Sequence, residues 1–120
     1  IVNVPDKRES ATFVADVLGV PAPTPFGPFL VVELGNGVSL DFADDHGPVR
    51  PQHYAFLVSE AEFDEVFGRI QARGLTYWAD PGRRRPGEIN RNDGGRGVYW
   101  EEPGGRHFLE IITRPYGSGS

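Results

Sequence analysis

The chain has 120 residues, of which 38% are hydrophobic and 24% charged, the makeup of one soluble globular domain with one core. Against 12 basic side chains stand 17 acidic ones, a formal net charge of −5 that argues against a nucleic-acid partner. No apolar run approaches the ~18 residues of a membrane span and no secretory signal is visible, so no membrane partner and a cytoplasmic location are expected. Zero cysteines exclude disulfides and thiolate metal sites, which leaves imidazole and carboxylate as the strong ligands available.

The chain opens in an extended apolar run, Ile1–Val4, and a strand is expected to begin before residue 1. Asp6 stands three residues before Glu9, a helix-start signal, and Ala11, Val14, Val17 and Leu18 follow at helical spacing up to Gly19. A Pro-rich stretch with room for a short strand leads to a hairpin, Phe29–Leu34 with Val38–Ala43, across the glycine-permissive turn Gly35-Asn36-Gly37. His46 falls in a turn-rich linker and is expected to face solvent.

The second half repeats this order. Tyr54–Val58 reads as a strand, and Ser59 and Glu62 open a helix over Ala61–Arg73 whose apolar face is Phe63, Val66, Phe67 and Ile70. Leu75–Trp78 reads as a short strand, and Gly97–Glu101 pairs with His107–Thr113 across Pro103-Gly104-Gly105. Landmarks recur at constant offset: Val4 to Val58 is 58 − 4 = 54, and Gly19 to Gly74 is 55. Asp41 to Glu110 is 110 − 41 = 69, so about fifteen extra residues sit in the second unit. They fall in the turn-dense stretch from Pro81 to Gly95, either a binding loop or a solvated excursion. Its Arg83-Arg84-Arg85 reads as a solvated triplet or as a positive lip for an anionic substrate.

The expected fold is therefore α+β: one domain over residues 1–116, made of two βαβββ modules at about 1–46 and 51–116. Residues 117–120 read as a linker or tag remnant. Helices on one side of two mixed sheets leave the other faces free to form a half-open trough. Alternation decides which side chains line it. Tyr54, Phe56 and Val58 suit the helix-packed face, which turns His53 the other way. An unpaired carboxylate under a helix would be costly, so Glu110 is assigned to the open face with Phe108, and by the same logic Asp41 joins Ser39 there. His107 then points under the helices, held by hydrogen bonds, while Trp78, Tyr99 and Trp100 supply core or trough wall.

This doubled order, the histidine in Gln52-His53-Tyr54-Ala55-Phe56 and the closing run from Glu102 to Thr113 resemble the vicinal oxygen chelate superfamily, which includes glyoxalase I, fosfomycin and bleomycin resistance proteins, methylmalonyl-CoA epimerase and extradiol dioxygenases. The resemblance implies a divalent metal held by His53 and Glu110, with Asp41 at the fourth-strand position used in some families. It also implies a first-strand histidine, which the internal offset puts at 53 − 54 = −1, ahead of Ile1. Asp41 and Phe108 are the expected substrate contacts, and Asp41, if free of metal, is a candidate base. Two departures stand out: Glu102-Pro103-Gly104-Gly105-Arg106 is one residue longer than the family's usual turn, and Asp41 is shorter than the glutamate of glyoxalase I.

Two imidazoles and one carboxylate leave a divalent ion with open positions at which adjacent substrate oxygens can chelate; Fe, Mn, Ni, Co and Zn all suit such ligands. The expected function is thus a metal-dependent lyase, isomerase or dioxygenase acting on a small oxygenated substrate. The alternative is a metal-free protein that binds an antibiotic or metabolite, as bleomycin-binding relatives do. A homodimer is expected, because half-open sheets leave edges and apolar surface to cover.

Overall fold

A computed structural model describes residues 1–35 and 37–119. The chain forms two compact units, Ile1–Pro51 with Glu102–His107, and Gln52–Glu101 with the chain from Phe108 onward. Both have the expected α+β make-up.

In the first unit, β1 (Val2–Val4), α1 (Lys7–Leu18), β2 (Thr24–Phe26), β3 (Phe29–Gly35) and β4 (Val38–Asp44) form one sheet in the order β1-β4-β3-β2. The second contains β5 (His53–Leu57), α2 (Glu60–Ala72), β6 (Tyr77–Trp78), β7 (Gly97–Glu101) and β8 (Phe108–Ile112), ordered β5-β8-β7-β6. First and last strands run parallel in each unit and the other pairs antiparallel. The offsets read from the sequence reappear in the register. Val2 lies opposite Phe42, and adding 54 and 69 gives Phe56 opposite Ile111, which is the pair observed. By the same steps Ile1 corresponds to Ala55, so position −1 corresponds to His53.

Local chemistry explains both helix starts. The Asp6 carboxylate accepts from the Arg8 and Glu9 N–H groups, and Ser59 and Glu62 exchange bonds in a complete capping box. α1 ends at Gly19 with φ 73°, a left-handed conformation that glycine adopts without steric cost. Its buried stripe is wider than the sequence spacing indicates, since Ser10, Phe13 and Ala15 are buried beside Ala11, Val14 and Val17. α1 packs on β1, β3 and β4, where Val4, Leu30, Val32 and Phe42 complete the core. In the second unit Phe63, Val66 and Ile70 are buried with Val98, Trp100, Leu109 and Ile111. Phe67 meets Tyr77 edge to face at 5.0 Å. Arg96 fastens the start of β7 to α2, pairing with Glu60 and Asp64 at 2.8 Å each while its guanidinium lies 4.4 Å above Phe63.

Glycines flank the β3–β4 turn in positive φ, Gly35 at 84° and Gly37 at 73°; Asn36 between them lies outside the described residues, as does Ser120. The stretch from Pro81 to Gly95 is not a plain excursion. Trp78 bridges to Pro86 and Asn90 to Gly97, and a short turn of 3-10 helix covers Asn92–Gly94. His46 is exposed, as expected.

The long turn after β7 is built around Glu102, whose side chain is buried in the first unit. It accepts from Ser10 Oγ at 2.5 Å and from the Gly104 and Gly105 N–H groups at 2.6 and 2.8 Å. His107, also buried, donates from Nε2 to the Asn3 carbonyl at 2.8 Å. The residue in the left-handed region here is Arg106 (φ 59°), not a glycine. The glycines serve close packing instead. A Cβ on Gly104 would collide with Ser10 Oγ and stand 2.7 Å from Glu102 Oε1, and one on Gly105 would stand 2.7 Å from the His107 ring. The extra residue therefore lets the turn hold a buried carboxylate and leaves β8 intact.

Replacing Glu102 with Ala strands the donors that face it, and denaturant unfolding should show a loss of about 3–5 kcal/mol. Gly104→Ala overpacks the same turn and should cost about 1–3 kcal/mol, read as a lowered midpoint with the slope unchanged.

Candidate active site

The face of β5, β7 and β8 opposite α2 carries the candidate chemistry, and strand register builds it. Glu110 lies directly between Ala55 on β5 and Tyr99 on β7, while His53 is two pairs along, beside Phe108. Residues two apart on a strand share a face, so His53, Phe108, Glu110 and Tyr99 point the same way. Leu109, Ile111, Val98 and Trp100 take the opposite face and are buried.

Glu110 is 1% exposed, a carboxylate taken almost wholly out of water, so its hydrogen bonds decide whether the arrangement is tolerable. His53 Nε2 lies 2.9 Å from Glu110 Oε1, and because the carboxylate accepts, Nε2 carries the proton. The Tyr116 hydroxyl donates to the same oxygen. Tyr99 hydrogen-bonds both Glu110 and Tyr116. Removal from water and the hydrogen bond to Glu110 push the Tyr116 phenol up to about 12. The same two causes raise Tyr99 further still. Both phenols are therefore protonated donors at neutral pH.

The members of this cluster differ in access. The His53 side chain is 44% exposed and that of Glu110 only 2%. Tyr116 offers most of its ring to solvent and turns its hydroxyl inward. Around His53 stand further rings: Tyr99 at 5.7 Å, Phe108 at 6.3 Å, with Tyr99 stacked on Phe108 at 5.2 Å and 21°, and Trp78 at 5.7 Å from Phe108. Glu110 and Tyr116 also line a small open depression with Asn90, Arg96 and Arg114.

Three of the four residues singled out from sequence, His53, Glu110 and Phe108, lie together within the second unit. Asp41 belongs to the first unit. There it is half-buried opposite Val31, on the face away from the buried Phe42, and accepts from Ser39 Oγ at 3.3 Å. Sequence reasoning missed the two tyrosine hydroxyls. Tyr99 faces Glu110 because the hairpin is centred between residues 104 and 105, half a residue beyond the middle of the Pro103-Gly104-Gly105 turn read from sequence. Tyr116 carries no such signal, because it lies in the tail beyond β8.

Whether this pair fits a divalent ion can be tested on its geometry. Two donor atoms held about 2.1 Å from one ion at right angles are about 3 Å apart, and His53 Nε2 and Glu110 Oε1 are 2.9 Å apart. An imidazole and a carboxylate thus present themselves at the spacing of neighbouring ligands. No cluster of three or more His, Cys, Asp or Glu side chains with metal-holding geometry occurs among the described residues.

No protein-family model matches the chain, and comparison with curated proteins finds no match. Solved structures do. Oxidase ChaP-H1 shares 67% identity over 97% of this chain and 93% of that one, with a TM-score of 0.93. Oxidase ChaP-H2 shares 62% over 99% and 93%, with a TM-score of 0.94. Lactoylglutathione lyase from Agrobacterium tumefaciens shares the fold at 19% identity, over 92% and 87% of the two chains, with a TM-score of 0.66. Near-complete overlap with close relatives, and a fold shared with a glyoxalase-type lyase, place the doubled βαβββ architecture in a known lineage: the chain belongs to the vicinal oxygen chelate superfamily.

Proposed function

We propose that this protein is an oxidase-type enzyme that binds a small, planar, oxygenated substrate on the open face of the second unit, at a divalent transition metal held by His53 and Glu110. The observation that carries this reading is the 2.9 Å approach of a solvent-reachable imidazole to a buried carboxylate, ringed by aromatic side chains. The two relatives above 60% identity, both named oxidases, favour oxidation over the lyase and isomerase reactions also found in the superfamily.

When bound, a divalent ion supplies Lewis acidity, favouring negative charge on substrate oxygens. The protein's own groups do the rest. His53 would hold the ion through Nε2 as the neutral Nδ1–H tautomer, and Glu110 would hold it through Oε1. Tyr116 and Tyr99 hold the carboxylate from behind, fixing the direction of its lone pairs as second-layer partners commonly do. Phe108 and Tyr99 present stacked ring surface against which a flat substrate excludes water.

A second reading has its own support. Glu110 is already supplied with donors by His53, Tyr99 and Tyr116, an arrangement that is satisfied with no ion present. A metal-free protein that sequesters a flat metabolite or antibiotic on the same rings fits that fact. Metal content separates the two.

Elemental analysis of the purified protein should find close to one transition-metal ion per chain, falling below about a tenth in His53→Ala. Metal-free wild type that still binds flat aromatic ligands tightly would replace the enzyme by the binder. Tyr116→Phe removes one supporting bond from Glu110, and competition with a chromophoric chelator should show metal affinity reduced about tenfold.

A further inference from the structure

The loop after β6 presents one arginine in a specific way. The Asp80 carboxylate accepts the Arg84 N–H at 3.0 Å and the Arg85 N–H at 2.8 Å, while Ala79 N donates to the Arg85 carbonyl at 3.1 Å and Gly87 N to the Tyr77 carbonyl at 2.8 Å. These bonds fold the loop back on β6 and force Arg83 into left-handed backbone at φ 59°, a conformation that side chains with a Cβ rarely adopt. Strain of this kind persists only where the surroundings over-determine it, and it gathers at ligand clamps. The Arg83 guanidinium then lies 4.5 Å from the centre of the Phe108 ring and 5.0 Å from that of Trp78, and Nη1 donates to Glu101 Oε2 at 2.8 Å. Arg85, by contrast, pairs with Glu88 away from these rings.

We propose that Arg83 is a specificity-determining residue that selects an anionic oxygen, carboxylate or enolate, on a flat conjugated substrate, and that Glu101 holds the guanidinium in place until that substrate arrives. The inference rests on the proposed function only in taking the Phe108 face as the substrate surface. A guanidinium is a planar fork whose geometry suits carboxylates, and it keeps its charge at any accessible pH. Stacked on rings it is pre-oriented, so little side-chain freedom is lost when an anion binds. Glu101 is the chemical template for the ligand: a carboxylate already accepts from the fork, and the Arg83 side chain remains 40% exposed, open to exchange. An incoming anion takes over the hydrogen bond that Glu101 vacates, whereas a neutral analogue must leave Arg83 paired with Glu101 and gains nothing from the fork.

The test is equilibrium binding of 2-naphthoate and 2-naphthamide, which share shape and differ in charge, followed by tryptophan fluorescence in EDTA so that no ion at His53 and Glu110 contributes. Wild type should prefer naphthoate at least tenfold, Arg83→Gln should bring the ratio near one, and Glu101→Gln should tighten naphthoate several-fold by removing its internal competitor. Equal affinity in wild type, a preference that survives Arg83→Gln, no gain in Glu101→Gln, or no binding of either probe would each overturn the proposal. A preference lost in Arg83→Gln in protein that never takes up metal sustains this inference and rejects the metal centre, so the two failures are told apart.

Discussion

Burial of the Glu110 carboxylate is the constraint to which the rest of the second unit answers. Taking such a group from water costs on the order of several kcal/mol unless its lone pairs are met. The donors come from three separate parts of the chain: His53 opens β5, Tyr99 sits mid-β7, and Tyr116 lies in the tail after β8. Each reaches the carboxylate only if the parallel β5–β8 register and the antiparallel β7–β8 register are both correct, since a one-residue slip would turn His53 or Tyr99 to the α2 face. The cluster therefore tests sheet assembly as well as presenting chemistry.

Much of this was legible in the sequence because it depends on short-range rules. The capping signals at Asp6 and Ser59, the closing glycines and the period-two alternation around Glu110 are local, and repetition at offsets of 54 and 69 checks them against each other. Strand ends moved by a residue or so. The expected strand Tyr54–Val58 runs His53–Leu57, and His107–Thr113 shortens to Phe108–Ile112 as His107 is drawn to the Asn3 carbonyl of the first unit.

What escaped depends on contacts between residues far apart in sequence. Ser10 and Glu102 are 92 positions apart, and nothing in either local pattern announces their bond; the Pro103-Gly104-Gly105 turn reads as flexible punctuation when it is a cradle for a carboxylate. The arginine triplet, read from sequence either as solvated or as a positive lip, does not act as one unit: neighbouring side chains in a bent loop diverge, so Arg83 lies over two rings while Arg85 finds Glu88. Tyr116 escaped because tail residues past the last strand have no periodicity to be read against.

Glu102 and Glu110, eight positions apart and equally buried, show why burial alone does not mark a functional carboxylate. The partners of Glu102 are Ser10, itself wholly buried, and two N–H groups of its own turn; no ligand can replace them without unfolding that turn. Among the partners of Glu110 are an imidazole 44% exposed and a phenol on a largely solvent-facing ring, both of which can swing aside while the sheet stays whole. The difference is in what it takes to exchange a partner. A buried charge held by backbone is a structural fixture, whereas one held by side chains that reach solvent is available to an ion or a substrate, and that criterion separates Glu110 with His53, the proposed site, from Glu102, a tie in the fold.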